Sequence, residues 1–290
     1  MGPLSLVPPI HSLEDHWITL DGARMRYLRE GSGRPLLLLH GLLGYSFSWR
    51  YVIPALAPYA DVHAVDMLGV GFSDRPPNLD CCLRASAERL IRFLDAVGIT
   101  SCDLLGTSYG GAVSMMAASL APDRIHRLML VAPVNPWSSF GKKMAEFLTS
   151  GAVSPVFLGI APYLTFTHGY FLRRLYGDVR RIRSGTLAGY SAPFALPGTF
   201  HHELSVLRTW NRDLDELQSV LPLISHITTL ILWGSLDNAV DPRSAEMLCG
   251  QFEKCRLMML SGVGHLPYEE APDQFNEAVI QFLQADQSGF

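Results

Sequence analysis

Gly106-Thr107-Ser108-Tyr109-Gly110-Gly111 stands between an apolar run ending in Leu104-Leu105 and the helical pattern Ala112 to Leu120. A serine in a sharp strand-to-helix turn is pushed up out of its sheet with the hydroxyl exposed, and flanking glycines let strand and helix pass closely. The free N–H groups and dipole at the start of the helix then lie beneath that hydroxyl and favour developing negative charge. A bare G-x-S-x-G string is common. Its position between a strand and a helix makes it specific, and it marks Ser108 as a candidate nucleophile.

Outward from this turn, short apolar runs alternate with amphipathic segments, the pattern of a parallel sheet flanked by helices. Ile18 to Leu20 and Met25 to Arg29 flank the hairpin signal Asp21-Gly22. Pro35 to His40 reads as a strand buried on both faces, because its four leucines run together without alternation. Val62 to Asp66, Cys102 to Thr107 and Arg127 to Ala132 follow, and Thr229 to Trp233 and Arg256 to Leu260 come later. Helices are predicted over Trp49 to Leu56, Leu83 to Val97, Tyr109 to Leu120, Ser244 to Phe252 and Pro272 to Leu283. Between Pro133 and about Trp210 the alternation stops. That stretch is an insertion rich in Pro, Gly and aromatics, among them Phe157, Tyr163, Phe166, Tyr170, Phe171, Tyr176, Tyr190, Phe194 and Phe200. The chain divides into a first core part at 1–134, an insertion at 135–212 and a second core part at 213–290.

The 290 residues suit one large core carrying an insertion, and 48% hydrophobic with 17% charged residues excludes a disordered polyelectrolyte. A net charge of −4 gives no basic field for nucleic acid. The five cysteines, Cys81, Cys82, Cys102, Cys249 and Cys255, are odd in number and poor material for a disulfide framework, which points to a reducing compartment. The N-terminus has no basic region ahead of its apolar residues, is interrupted by Pro3, Pro8 and Pro9, and has Leu6 where a myristoylation signal has Ser or Thr. Ala152 to Leu164 is too short to span a bilayer and contains Pro155 and Pro162. The expectation is a cytoplasmic enzyme with a small-molecule substrate and no nucleic-acid or membrane partner.

A serine hydroxyl needs a base within reach. Of ten histidines, His265 lies in the loop Ser261-Gly262-Val263-Gly264-His265 directly after the last predicted strand, where two glycines let it reach the carboxyl edge of the sheet. The acid that orients it should end a different strand, and Asp237, after Leu230-Ile231-Leu232-Trp233-Gly234, fits. Asp241, before Pro242, is better placed to cap the next helix. The oxyanion needs fixed backbone donors; the N–H of Leu42, in His40-Gly41-Leu42-Leu43-Gly44, is one and that of Tyr109 the other. His40 is expected to brace that loop. There is no HExxH and no zinc-like cysteine pairing, so no metal or organic cofactor is expected, and His201-His202-Glu203 reads as an exposed polar cluster.

These residues together resemble the α/β-hydrolase superfamily over nearly the whole chain. His40-Gly41, Asp66-Met67-Leu68-Gly69-Val70-Gly71-Phe72-Ser73-Asp74, the Ser108 turn, Trp233-Gly234 to Asp237 and Gly264-His265 stand in family order. The resemblance implies a mostly parallel central sheet flanked by helices, with the insertion forming a helical cap after the sixth strand. It makes the Asp66 to Asp74 segment a structural loop beneath the site. Haloalkane dehalogenases and epoxide hydrolases resemble the chain too but carry Asp where it has Ser108, which favours ester or related acyl chemistry. Hydrolytic carbon–carbon cleavage of a vinylogous diketone is the alternative among enzymes, with a lyase or perhydrolase behind it, and a small-molecule receptor on the same fold is the alternative outside them. The arginines Arg173, Arg174, Arg180, Arg181 and Arg183 are expected to form a solvated face, since adjacent residues on a helix diverge by roughly 100°, and the pocket to be mostly apolar.

Overall fold

A computed structural model describes residues 13–138, 142–161 and 165–285. The N-terminal features at Pro3, Leu6, Pro8 and Pro9 lie outside the described residues, as do Pro162, Tyr163, Leu164 and the side chain of Phe166. Eight strands form one sheet: β1 (Asp15–Leu20), β2 (Ala23–Gly31), β3 (Pro35–Leu39), β4 (Asp61–Val65), β5 (Cys102–Thr107), β6 (Ile125–Val131), β7 (Thr228–Gly234) and β8 (Cys255–Leu260). Their order is β1-β2-β4-β3-β5-β6-β7-β8, with β1 and β2 antiparallel to their neighbours and the remaining pairs parallel.

Leu36 to Leu39 have no exposed surface and alternate between the two cores, Leu37 and Leu39 on one side of the sheet, Leu36 and Leu38 on the other. That two-sided burial is why β3 shows no polar alternation. The chain passes from β3 to β4 on one side and then crosses back to β5 on the other. This reversal opens a crevice at the carboxyl ends of β3 and β5, the place where parallel sheets bind ligands. The loop of Gly41 and Leu42 leaves one of these strands and Ser108 the other.

The core helices are α1 (Ile53–Leu56), α2 (Leu83–Ala96) and α3 (Tyr109–Leu120) before the insertion, and α9 (Ser244–Cys249), α10 (Pro267–Glu270) and α11 (Pro272–Gln284) after it. The insertion follows β6 and comprises α4 (Lys142–Thr149), α5 (Val153–Ile160), α6 (Thr165–Leu175), α7 (Thr186–Ser191) and the long α8 (Thr199–Val220). Helix α8 docks on the core through Trp210, stacked 6.3 Å from Tyr109, and through Asp213, whose carboxylate accepts the N–H of Leu83 at the start of α2. It runs unbroken through positions 212 and 213.

Two expectations are corrected. Cys249 and Cys255 form a disulfide, their Cα atoms 5.6 Å apart, because the turn between α9 and β8 folds them back on each other. The bridge removes the cysteine argument for a reducing compartment; Cys81, Cys82 and Cys102 are free. The helix predicted from Trp49 is a 3-10 turn at Ser46–Trp49 followed by the short α1. Pro54 cannot continue the earlier turn and restarts the helix near its own position.

Candidate active site

Ser108 sits at φ 52° and ψ −120°, outside the regions that suit a residue with a side chain. Its surroundings impose that strain. Its N–H donates to Val131 O at 2.9 Å, and its carbonyl accepts from Gly111 and Val134. A Cβ at Gly110 would run into the carbonyl oxygens of Leu39 and His40, so only glycine lets α3 approach β3 closely enough.

Asp237 and His265 meet across the ends of β7 and β8. The Nδ1 of His265 lies 2.8 Å from Asp237 Oδ2, with the imidazole buried and the carboxylate side chain inaccessible. Asp237 is held from three further sides: Oδ1 accepts the N–H groups of Ala239 (2.7 Å) and Val240 (3.0 Å), and Oδ2 accepts the indole N–H of Trp233 (3.0 Å). An acceptor at Nδ1 assigns the ring proton to Nδ1 and leaves Nε2 as the basic nitrogen. Asp241 turns instead to Arg243 and accepts its N–H and guanidinium at the surface. Among the described residues no hydrogen bond joins Ser108 to His265; such bonds tighten in many enzymes only with substrate bound.

The amides of Leu42 and Tyr109 have no protein acceptor among the described residues, the state expected of donors kept for an oxyanion. His40 braces their loop: Nε2 accepts the N–H of Met67 at 3.1 Å, so the proton sits on Nδ1 and is donated to Gly41 O at 2.9 Å. Burial lowers the pKa of His40, which keeps that arrangement neutral. Asp66, fully buried, accepts from Ser46 N–H, Phe72 N–H and the Arg26 guanidinium, which makes the Asp66 to Asp74 segment a rigid support.

The polar cluster on α8 is corrected. Only His201 is exposed; Glu203 is 6% accessible, and His202 and Glu203 both line a cavity of about 20 Å³ with His40, Gly41, Leu42 and Tyr109. That volume holds about one water. Glu203 lies on the buried stripe of α8 with Val206, Trp210, Leu214 and Leu217, a helical spacing visible in the sequence that the polar triplet His-His-Glu obscured. Glu269 and Glu270, in α10 just after His265, stand in no motif that marks them in the sequence. Glu270 accepts the amides of Gly264, Gly177 and Asp178, and the N–H of His265 itself donates to Leu175 O at 2.7 Å, so the cap helps hold the histidine loop. Arg173, Arg174, Arg180, Arg181 and Arg183 are all exposed; Arg180 pairs with Asp178 and Arg181 reaches Gly262 O, in keeping with a solvated face. Among the described residues no cluster of three or more His, Cys, Asp or Glu side chains stands in metal-binding geometry.

Residues 34–150 match the protein family described as alpha/beta hydrolase fold. Among curated proteins, haloalkane dehalogenase 2 of Mycobacterium tuberculosis is 28% identical over 94% of this chain and 96% of its own length. The 2-hydroxymuconate semialdehyde hydrolase of a Pseudomonas species is 24% identical over 90% and 91%. Among solved structures, an epoxide hydrolase without ligand superposes with a TM-score of 0.82 at 23% identity, covering 93% of this chain and 98% of that one.

Proposed function

The chain belongs to the α/β-hydrolase superfamily, and from that premise we propose that it is a serine hydrolase cleaving a carboxylic ester of small to medium, hydrophobic character through an acyl-Ser108 intermediate. The observation that carries the reading is the strained Ser108 at the carboxyl edge of the sheet, with the Asp237–His265 pair at the same edge. His265 Nε2 takes the Ser108 proton as Oγ attacks the ester carbonyl, and the N–H groups of Leu42 and Tyr109 receive the oxyanion. Collapse expels the alcohol, which leaves with the proton from His265. A water deprotonated by the same nitrogen then attacks the acyl carbon and returns Ser108. Asp237 holds the imidazole in place through Nδ1 and stabilises the imidazolium.

Chemistry separates this reading from two of the relatives' names. A carboxylate that displaces halide or opens an epoxide forms an ester that water can cleave at its acyl carbon. A serine doing the same would form an ether with no acyl carbon, and turnover would stop there. Serine at the elbow therefore supports acyl chemistry. Hydrolysis of a carbon–carbon bond next to a ketone remains a second reading, favoured by the similarity to the 2-hydroxymuconate semialdehyde hydrolase. No described helix is long and apolar enough to cross a membrane.

A fluorophosphonate probe is expected to label Ser108 and abolish turnover, and esters graded by acyl length to be cleaved faster than dienol ketones. Faster turnover of the ketones would install the second reading. Labelling elsewhere with activity intact would remove the nucleophile. Retained ligand binding with no turnover in the unaltered chain would make it a receptor.

A further inference from the structure

Helix α8 of the cap carries a carboxyl group to the loop that is to bind the oxyanion. Glu203 Oε1 accepts the N–H of Leu43 at 3.2 Å, and the side chain is almost wholly buried. Leu43 is in the left-handed region at φ +57°, a conformation a leucine holds only when its surroundings enforce it. The core supplies one restraint, the Gly44 N–H donating to Gly41 O at 3.1 Å. The other comes from the cap. A single Cα separates the amide of Leu43 from that of Leu42, so a turn that let the first rotate would swing the second.

We propose that Glu203 is a positioning residue: it holds the oxyanion loop through the Leu43 amide, so that the docked cap, and not the core alone, completes the oxyanion hole. The proposal rests on the reading of Ser108, Leu42 and Tyr109 given above and adds to it a dependence on one cap side chain.

The charges around Glu203 decide how the device responds to pH. Burial raises its carboxyl pKa to about 7, against smaller opposing effects from the Leu43 N–H and from Arg75. Arg75, on the loop after β4, gives its hydrogen bonds to Gly71 O, Ser73 O and Thr199 Oγ1, and among the described residues forms no ion pair with the carboxylate. The cavity that Glu203 lines also contains His40 from the end of β3, Arg89 from α2, Tyr109 from α3 and His202 from α8 itself. Burial, helped by Arg89 and Arg75, drives His202 down to about 3, so it is neutral, and the nearby Cys81 thiol, pushed up to about 11 by burial, is neutral too. Below pH 7 the carboxyl is a neutral acceptor for Leu43. Above pH 7 it adds a negative charge beside the Leu42–Leu43 loop that is to receive the oxyanion, and like charges oppose each other.

The test compares the unaltered chain with Glu203→Ala and Glu203→Gln, using a p-nitrophenyl ester and a fluorophosphonate. Glu203→Ala is expected to lose at least about tenfold in kcat with KM changed less than about threefold, since one lost oxyanion donor costs roughly 10²–10³ and here the donor is only loosened. Phosphonate labelling of Ser108 should slow in parallel, and the Leu43 amide should exchange with solvent faster. Glu203→Gln, which keeps an acceptor for Leu43, should recover most of the lost kcat and remove the fall in kcat expected of the unaltered chain above pH 7. Undiminished kcat and labelling in Glu203→Ala would overturn the proposal, as would a loss in Glu203→Gln as large as in Glu203→Ala. Failure of the unaltered chain to label at Ser108 is a different result: it would overturn the serine reading, and the proposal with it.

Discussion

A carboxylate helps an imidazole only when its own direction is settled, and Asp237 is settled by two backbone amides and an indole N–H before it meets His265. Asp237→Asn is expected to lower kcat by about 10⁴, the size of the corresponding change in the serine-protease triad, because an amide holds the wrong tautomer of the histidine. Asp241→Asn should change kcat less than about threefold, since its carboxylate meets only Arg243 and the backbone beside it. A reversed pair of results in ester kinetics would exchange their roles. The strand-end position of Asp237 was legible in the sequence. The Trp233 bond was not, because which way an indole points depends on the packing of β7 rather than on spacing. Glu203 carries a second expectation at this scale. Its folded pKa of about 7 exceeds the unfolded value near 4.5, so the stability it contributes is whole below pH 4.5 and is lost as pH rises toward 7. Glu203→Gln should therefore flatten that decline and raise stability at pH 8 by as much as about 3 kcal/mol, read from urea unfolding at pH 4.5, 6 and 8. A decline as steep in the variant as in the unaltered chain would assign it to other groups.

At the scale of elements, strands were more legible than the cap. The four leucines of β3 announce two-sided burial whatever lies on either face, whereas α4 to α7 are short and their packing depends on partners far away in sequence. The Asp66 to Asp74 loop shows the same limit. Gly69 has φ +93°, and a Cβ there would collide with the imidazole of His202, nearest its Nδ1. The sequence shows a glycine. Only the fold shows that it makes room for a cap side chain that arrives 133 residues later. Gly69→Ala is expected to destabilise the protein by more than about 1 kcal/mol, through both backbone strain and displacement of α8, and to increase cleavage of the cap in limited proteolysis. A variant with unchanged unfolding and unchanged proteolysis would show that His202 moves aside freely. The Cys249–Cys255 bridge closes a loop too small for sequence counting to notice. Cys249→Ser with Cys255→Ser should cost about 2 kcal/mol by loop entropy, and alkylation of the unfolded, unreduced chain should modify three thiols.

For the molecule as a whole, cap and core meet in a buried ionic cluster behind the histidine loop. Arg50, which follows the 3-10 turn at Ser46–Trp49, pairs through both terminal nitrogens with Glu269 of α10, the second contact at 2.6 Å. The cap closes around the pair: Tyr190 OH donates to Glu269 Oε1 at 2.7 Å, Tyr176 OH approaches Oε2 at 3.4 Å, and Thr186 Oγ1 accepts from Arg50 at 3.1 Å. Both ions are nearly inaccessible, with side chains 8% and 1% exposed. Burial alone would drive Glu269 neutral, and its pKa is raised by that burial despite the opposing charge of Arg50 and the bonds from the two tyrosines. Such a pair gives little net stability over an apolar replacement, but breaking it by removing one partner leaves an uncompensated charge and costs about 3–5 kcal/mol. Arg50→Met alone should therefore be severely destabilising, whereas Arg50→Met combined with Glu269→Leu should recover a large part of the loss. The recovered double variant should still hydrolyse esters poorly. Glu269 stands between Tyr268, packed 4.8 Å from Trp49, and Glu270, which accepts the amide of Gly264 next to His265, so loosening the cluster loosens the histidine. Urea unfolding of the two single variants and the double variant, with kcat measured on each, checks both halves. Additive losses across the double variant would deny that the ions act as a pair, and full kcat in the double variant would deny that the cap cluster supports the catalytic loop.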